Sequence, residues 1–413
     1  MAKPILALIP AAQGSKFYSV LPSNGVGDFD FTRSGSATRI NKDGLIETVS
    51  SGVSRLNYPL IDGVVNGCPH HILEPTKQNV LQRSEEFDNA YWINNGVTIN
   101  ANQTISPSGQ LNADLLTGVS GGFGVVRFST WSATNKVASC FAKKGSTNLF
   151  KIANASGGTG GVTYNLENGT VTNEDSGFEG SIENFGNGWY RCTAIDTLGR
   201  SGTFSLGVTA ASESVYMWGA QLESGYKTSY IPTTTAAVTR SAETATGAGD
   251  AATFNSEQGV LMAEISALAN DGTFRVISIN GTATNVNTNR IQIYFRDTAD
   301  IITFGMESEN SSQFFLQFPL DVKSNNKLAL KYSASSCSFW INGIKVGEET
   351  NKIMPTDLIR LDFVRQDGID EFFYGNTKQI QYFDTVLTDN ELETLTSWTS
   401  FTDMANGQQY SIK

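Results

Sequence analysis

Apolar residues recur at every second position through two long blocks of the chain. In the later block, "RIQIYFR" turns Ile291, Ile293 and Phe295 one way and Gln292 and Tyr294 the other. "KLALKY" sets Leu328, Leu330 and Tyr332 against Lys327 and Lys331, and "IRLDFVR" aligns Ile359, Leu361 and Phe363. Successive side chains on a strand point to opposite faces, so this pattern predicts half-buried strands with one wet face, as in antiparallel sheets. The earlier block reads alike. Val137, Ser139 and Phe141 share one face of "KVASCFAK", and Phe204, Leu206 and Val208 align in "TFSLGV". Val162, Tyr164 and Leu166 share a face of "GVTYNLENGTV", ahead of the hairpin signal Asn168-Gly169. Short strands joined by glycine-rich turns at this density read as sandwiches or jelly rolls.

Other stretches set boundaries. Residues 1–75 carry Pro4, Pro10, Pro22, Pro59 and Pro69, short extended pieces such as "DFDFTRSG", and no helical period. They predict an extended arm or small β-subdomain. "SAETATGAGDAATFNSEQG" (241–259) is small, polar and glycine-containing, and reads as a linker. "LTDNELETLTSW" carries the one helical signal: Thr388 followed by Glu391 makes a capping box, with Leu387, Leu392 and Leu395 as an apolar side. The expectation is an all-β chain with an arm over 1–75, a jelly roll over 76–240, a linker over 241–253, a second antiparallel sandwich over 254–413, and one short C-terminal helix. "MWGAQLESGYKTSYIPTT" (217–234) is apolar on both faces. Parity groups Tyr216, Trp218, Ala220 and Leu222 against Val215, Met217, Gly219 and Gln221. That suits the last core strand of the jelly roll, with Gly219 at a bulge or close contact and Tyr230-Ile231-Pro232 as an extended exit.

At 413 residues the chain is too long for one ordinary core. Its 39% hydrophobic and 17% charged content, with 40 glycines, fits folded β-structure rather than disorder. The net charge of −11 opposes nucleic-acid binding through phosphates, anionic membranes and polyanionic sugars, barring a local basic patch that composition does not reveal. Cys68, Cys140, Cys192 and Cys337 lie far apart without CxxC spacing, which argues against a disulfide framework or a zinc site. Cys140 and Cys192 both sit in strand-like runs where a bridge is conceivable; the simpler reading is free buried thiols. The apolar run 5–9 is short for a secretory signal and fits an edge strand. No run reaches the roughly 18 apolar residues of a spanning helix, so no membrane insertion is expected.

Glycosidic hydrolysis needs two carboxylates at a set separation. Asp370 and Glu371 of "DGIDEFF" are adjacent and point apart on a strand, with Asp367 close by. Asp28 and Asp30 have the right parity but stand among turn residues. Neither set makes a convincing pair, and no catalytic residue is assigned. His70 and His71, the only histidines, lack partners at metal-ligand spacing and read as turn or interface residues. "GGFG" and "GGTGG" lack the Gly-Lys-Ser/Thr ending of a phosphate loop. The expectation is no cofactor, with calcium at oxygen-rich loops such as "RQDGIDE" or "ALANDGTF" as the secondary reading. Aromatic residues near strand or loop edges remain as candidate sugar-stacking platforms: Tyr91, Trp92, Trp131, Trp189 and Trp340. Trp218, on a strand apolar on both faces, reads as core.

The phrases "ILEPTKQNVLQRSEEFDNAYW" (72–92), "NGWYRC" (187–192) and "VYMWGAQLESGYKTSYIPTTTAAVTR" (215–240) resemble a carbohydrate-binding-module-like jelly roll found in bacteriophage tail and fibre proteins. "FTRSGSATRINKDGLIE" (31–47) resembles the segment that precedes this module in such proteins. "SFWINGIKVG" (338–347) and "IQYFDTVLTDNELETLT" (380–396) resemble a concanavalin A-like, laminin-G-like sandwich. The resemblance implies a non-enzymatic virion surface protein that attaches to host surface polysaccharide. It further implies an arm that contacts other virion proteins, a homotrimeric assembly, and a virion location after assembly in the host cytoplasm. The alternatives are a glycan-degrading depolymerase, for which no carboxylate pair is visible, and a bacterial surface lectin, for which no convincing signal or sorting segment is visible.

Overall fold

Two β-sandwiches account for most of the chain; the computed structural model describes residues 2–10, 12–13, 16–119, 124–129, 136–154, 160–200, 202–282, 289–365, 371–399 and 401–408. The first sandwich has two six-stranded sheets. One runs in the order Ile93–Asn95, Gly124–Ser129, Gly202–Gly207, Leu149–Asn154, Gly161–Asn165, Thr170–Glu174. The other runs Val97–Ile105, Leu111–Gly118, Ser214–Ser224, Lys136–Lys144, Trp189–Asp196, Phe178–Asn184. Alternation gives each sheet one apolar face, and the two faces close on each other. Phe150, Ile152, Val162, Tyr164 and Leu206 meet Leu116, Cys140, Cys192, Met217 and Leu222 in one core. Cys140 and Cys192 lie opposite each other on paired strands, and both are free thiols.

The second sandwich packs an eight-stranded sheet on a five-stranded one. The larger runs Ile344–Glu349, Cys337–Ile341, Asn326–Ser333, Gln258–Ala267, Gly375–Phe383, His70–Leu73, Leu56–Asn57, with Leu6–Leu8 also pairing Gly375–Phe383. The smaller runs Ser311–Pro319, Ile301–Ser308, Arg290–Phe295, Arg275–Asn280, Arg360–Asp362. Ile291, Ile293, Phe295, Leu328, Leu330, Tyr332 and Leu361 all enter its core, as their parity predicts.

Two expected boundaries are corrected. Residues 1–75 are not a separate arm, because Leu6–Leu8 and His70–Leu73 are strands of the second sandwich. Leu6, Leu8 and Leu73 sit in its core. The same segment also touches the first sandwich, where Ile46 packs against Phe141, Trp189 and Trp218. Nor are residues 241–253 a linker. Thr244–Thr246 pairs with Phe29–Thr32, Ala248 bridges Leu361, and Ala245 and Ala248 are fully buried. The small residues there serve close packing: a Cβ on Gly249 would meet the Phe254 ring at 2.3 Å.

The two-faced strand Ser214–Ser224 explains itself through Gly219. Val215, Met217, Ala220 and Leu222 lie in the sandwich core, whereas Trp218 packs with Tyr230 on the outer side. Gly219 has φ +66°, and the pairing with Lys136–Lys144 slips at this point. This bulge shifts the alternation by one, so the expected parity holds only as far as Trp218. At the C-terminal end, helix α1 (Asp389–Ser397) starts at Thr388 with both hydrogen bonds of the capping box. A second helix, α2 (Phe401–Gly407), corrects the expectation of one. Seven residues are about two turns, too few for a readable period.

Candidate functional site

The aromatic platforms expected from the sequence mostly fail on burial. Trp92, Trp189 and Trp340 are 3%, 2% and 5% exposed, so none offers a ring face to a sugar, and these three assignments are corrected. Each indole N–H is engaged inside the protein: Trp92 donates to the Arg83 carbonyl, Trp189 to that of Ile105, and Trp340 to the Ser338 hydroxyl. Trp340 packs under α1 with Leu387, Leu392 and Leu395, and Trp189 helps seat Ile46. Amphipathic rings near strand ends satisfy both halves of their chemistry by facing inward. Tyr91 is half-buried and packs at a right angle to Trp92. Trp131 lies outside the described residues, as do Asp367 and Asp370.

A different set of residues builds a cleft of about 260 Å³ on the outer face of the five-stranded sheet. Cross-strand register lays out the sheet face around it in rows, of which Arg290, Gln292, Phe315, Val276 and Tyr294 line the cleft: Asn280, Arg290 and Glu307; then Ser278, Gln292, Gly305 and Phe315; then Val276, Tyr294 and Thr303. These are the outward positions of the strands, as alternation predicts for Gln292 and Tyr294. They are nevertheless dry: Gln292 is 3% and Tyr294 7% exposed. Long side chains wall them in, namely Phe274, Phe315, Arg296, Arg365 and Glu371. Phe274 and Tyr294 lie 6.0 Å apart, and Phe315 meets Tyr294 edge-on at 6.5 Å. Gly305 makes this possible, since a Cβ there would strike the Phe315 ring at 2.7 Å and the Gln292 amide at 2.8 Å. Phe315 keeps 37% of its surface exposed, so one aromatic face looks outward.

Three guanidinium groups converge on this cleft. Arg365 pairs with Glu371 at 2.7 Å, and Arg296 pairs with Asp297 while lying 5.6 Å over the Phe274 ring. Arg290 is 6% exposed and spends Nη2 on Glu307 at 2.8 Å. Among the described residues, its Nε and Nη1 have no hydrogen-bond partner. Burial lowers the Arg290 pKa, with the Glu307 charge opposing, and burial raises that of Glu307, with Arg290 opposing. Buried donors are nearly always matched, and an unmatched one costs about 1–3 kcal/mol. An unmatched guanidinium edge at the wall of an open cleft is therefore set for an acceptor from outside. Among the described residues three other clefts are larger, about 370, 380 and 340 Å³. In the first, the buried Glu264 is already engaged by Asn325, Gln379 and Lys327. The second presents only the covered edge of Trp189 and its neighbours.

No family model matches this chain, and no curated protein matches it. Solved structures do. One is the CBM40 module of the Ruminococcus gnavus IT-sialidase bound to α2,3-sialyllactose, 18% identical, covering 37% of this chain and 94% of that one, with a TM-score of 0.31. A leech intramolecular trans-sialidase is 18% identical, over 36% of this chain and 24% of that one, at 0.30. A heptameric SAP-like pentraxin from Limulus polyphemus is 13% identical, over 35% and 72%, at 0.29. At this level nothing about ligand or activity passes from them to this chain.

The remaining sequence candidates have structural roles. His70 and His71 lie in a strand, not a turn: His70–Leu73 runs between Gly375–Phe383 and Leu56–Asn57. His71 stacks on Phe17 with ring centroids 3.8 Å apart. Asp28 accepts from the Ser19 amide and hydroxyl, and Asp30 pairs with Lys16. In "ALANDGTF", Asp271 pairs with Arg275 and the Asn270 side chain accepts from Asp300. Among the described residues, no three of His, Cys, Asp and Glu come together as a metal site.

The phrases that carry the sequence resemblance meet at a buried ion cluster. Arg33 and Arg55 reach Glu243, Arg55 and Arg240 reach Glu74, and Ser229 donates to Glu74 through its amide and its hydroxyl. All four ion-pair contacts are essentially without solvent access. The phrases 31–47, 72–92 and 215–240 thus supply Arg33, Glu74, Ser229 and Arg240 to this cluster, with Arg55 and Glu243 from outside them. The groove's own residues were visible as the polar face of "RIQIYFR", Arg290, Gln292, Tyr294 and Arg296, which alternation alone reads as solvated surface.

Proposed function

We propose that this protein binds glycans on the open face of its second sandwich without cleaving them, and does so as a virion surface protein that attaches to host polysaccharide. The observation that carries the reading is the groove over the five-stranded sheet. Aromatic rings at Phe274, Tyr294 and Phe315 stand beside guanidinium and amide donors, in a cleft the size of a sugar residue or two. Sugar C–H faces pack on aromatic rings, and fixed polar groups orient the hydroxyls. Support for binding without hydrolysis comes from the carboxylates at or beside the cleft among the described residues: Glu371, and Glu307 beside Arg290, are each held by an arginine. A hydrolytic pair needs one acid and one base or nucleophile at a set distance, free to exchange protons.

The virion setting, contacts to other virion proteins and a trimeric assembly rest on the phrase resemblance. They fit the chemistry, because shallow sugar sites bind weakly and gain avidity when several are displayed together. The full chain is expected to retain host-type surface polysaccharide on a binding surface while leaving its chain length unchanged. Shortening of the polysaccharide would replace this reading with a depolymerase, and absence of binding to any glycan or cell surface would remove it.

A further inference from the structure

We infer that the glycan held in this groove is acidic, its carboxylate meeting Arg290; the inference deepens the glycan-binding reading and rests on it. The argument is one of donors and acceptors. Guanidinium groups only donate, a sugar hydroxyl both donates and accepts, and a carboxylate only accepts. A cleft built for neutral hydroxyls needs acceptors of its own. Among the described residues the lining offers three guanidinium groups, from Arg290, Arg296 and Arg365, against one carboxylate, that of Glu371, while the Gln292 amide and Tyr294 hydroxyl can each donate as well as accept. That carboxylate is already paired with Arg365. Glu307 stands on the strand beside Arg290, 5% exposed, and does not line the cleft.

Arg290 supplies the second, independent observation. It is nine-tenths buried, its Nε and Nη1 are unmatched among the described residues, and its side chain forms part of the cleft wall. A planar guanidinium with unspent N–H groups matches the two oxygens of a carboxylate in geometry and charge. Overall charge does not forbid this. The chain carries −11, which repels polyanions at long range, yet the groove concentrates three arginines at one point. Screening at physiological salt limits the repulsion to about 8 Å, so the local cluster decides the contact.

The test uses the full chain on an array of neutral and acidic glycans, with each acidic glycan also present after chemical reduction of its carboxyl groups to alcohols. Binding is expected on acidic glycans and is expected to fall at least tenfold on their reduced forms. Arg365→Gln, at the rim, and the paired change Arg290→Gln with Glu307→Gln, which leaves no buried carboxylate unpaired, are expected to bring acidic glycans down to the reduced-form level. A melting curve checks that each variant is folded. Equal binding of native and reduced forms by the unaltered chain would overturn the inference while leaving glycan binding in place. Binding to no glycan at all would instead remove the glycan reading itself.

Discussion

A buried charged side chain has to be explained by its partners, and three residues of this chain give three kinds of answer. Arg55 is completely matched. Its guanidinium reaches Glu74, Glu243, the Thr38 carbonyl and the Ser229 hydroxyl. Removing one partner from such a cluster leaves uncompensated charge, so Glu243→Ala is expected to cost about 3–5 kcal/mol of stability in chemical denaturation. His71 is neutral and nearly apolar in its behaviour. Burial, with the nearby His70 as a lesser cause, lowers its pKa to about 3. An unfolded imidazole takes a proton below about pH 6.5, and the folded one does not until about 3, so the unfolded state binds more protons over that interval. Stability therefore falls as the pH drops from about 6.5 towards 3. Glu74 adds a loss lower down: burial alone would raise its pKa, but Arg240 and Arg55 hold it at about 2, so its contribution fades only below about 4.5. His70, whose pKa burial lowers to about 4, adds a parallel loss over the same interval. His71→Phe, which keeps the stack on Phe17, is therefore expected to make the fall between pH 6.5 and 4.5 shallower without removing it, and to leave the steeper fall below it. Melting temperatures across that range read the difference directly. Arg290 is the third kind, buried with Nε and Nη1 unspent while its side chain lines a cleft, and that combination points outward to a ligand. Sequence parity placed Arg290's neighbours Gln292 and Tyr294 on the correct face, but it had no means of seeing Phe274 and Phe315 rise around them.

Strand character was legible from local alternation, because each sheet has one face in a core and that asymmetry is written every second residue. Partner choice was not. Leu6–Leu8 and Gly375–Phe383 are distant in sequence yet adjacent in one sheet, and nothing in either run names the other. Thr244–Thr246 was mistaken for a linker because Ala, Gly and Thr serve tight packing and flexibility equally well in composition. Gly219 defeated parity in the middle of a strand, since one inserted residue reverses every later side chain. Helix α1 was legible for the opposite reason: its cap is a local motif, Thr388 with Glu391, that needs no distant partner. Thr388→Ala removes the hydrogen bond to the Glu391 amide and is expected to cost about 1 kcal/mol. The loss should appear in amide exchange as fraying of the first turn of α1 while the sheets stay protected.

At the scale of the whole molecule, the two sandwiches are tied by the segments at either end of the jelly roll. Residues 1–75 supply strands to the second sandwich, Thr244–Thr246 pairs with Phe29–Thr32 in a separate four-stranded sheet packed on its core, and the Arg33, Arg55, Glu74, Arg240 and Glu243 cluster ties these segments together. The buried ion pairs and shared strands join the segments that carry the five-stranded sheet to the first sandwich. The most direct test of this account compares the unaltered chain with Phe315→Ala combined with Arg365→Gln for binding to glycans and intact cells. Both substitutions lie at the cleft and away from the ion cluster, so the variant should melt as the parent does. The account predicts that binding by the folded variant falls at least tenfold. Undiminished binding by that variant would contradict it, and would move the sugar site off the five-stranded sheet.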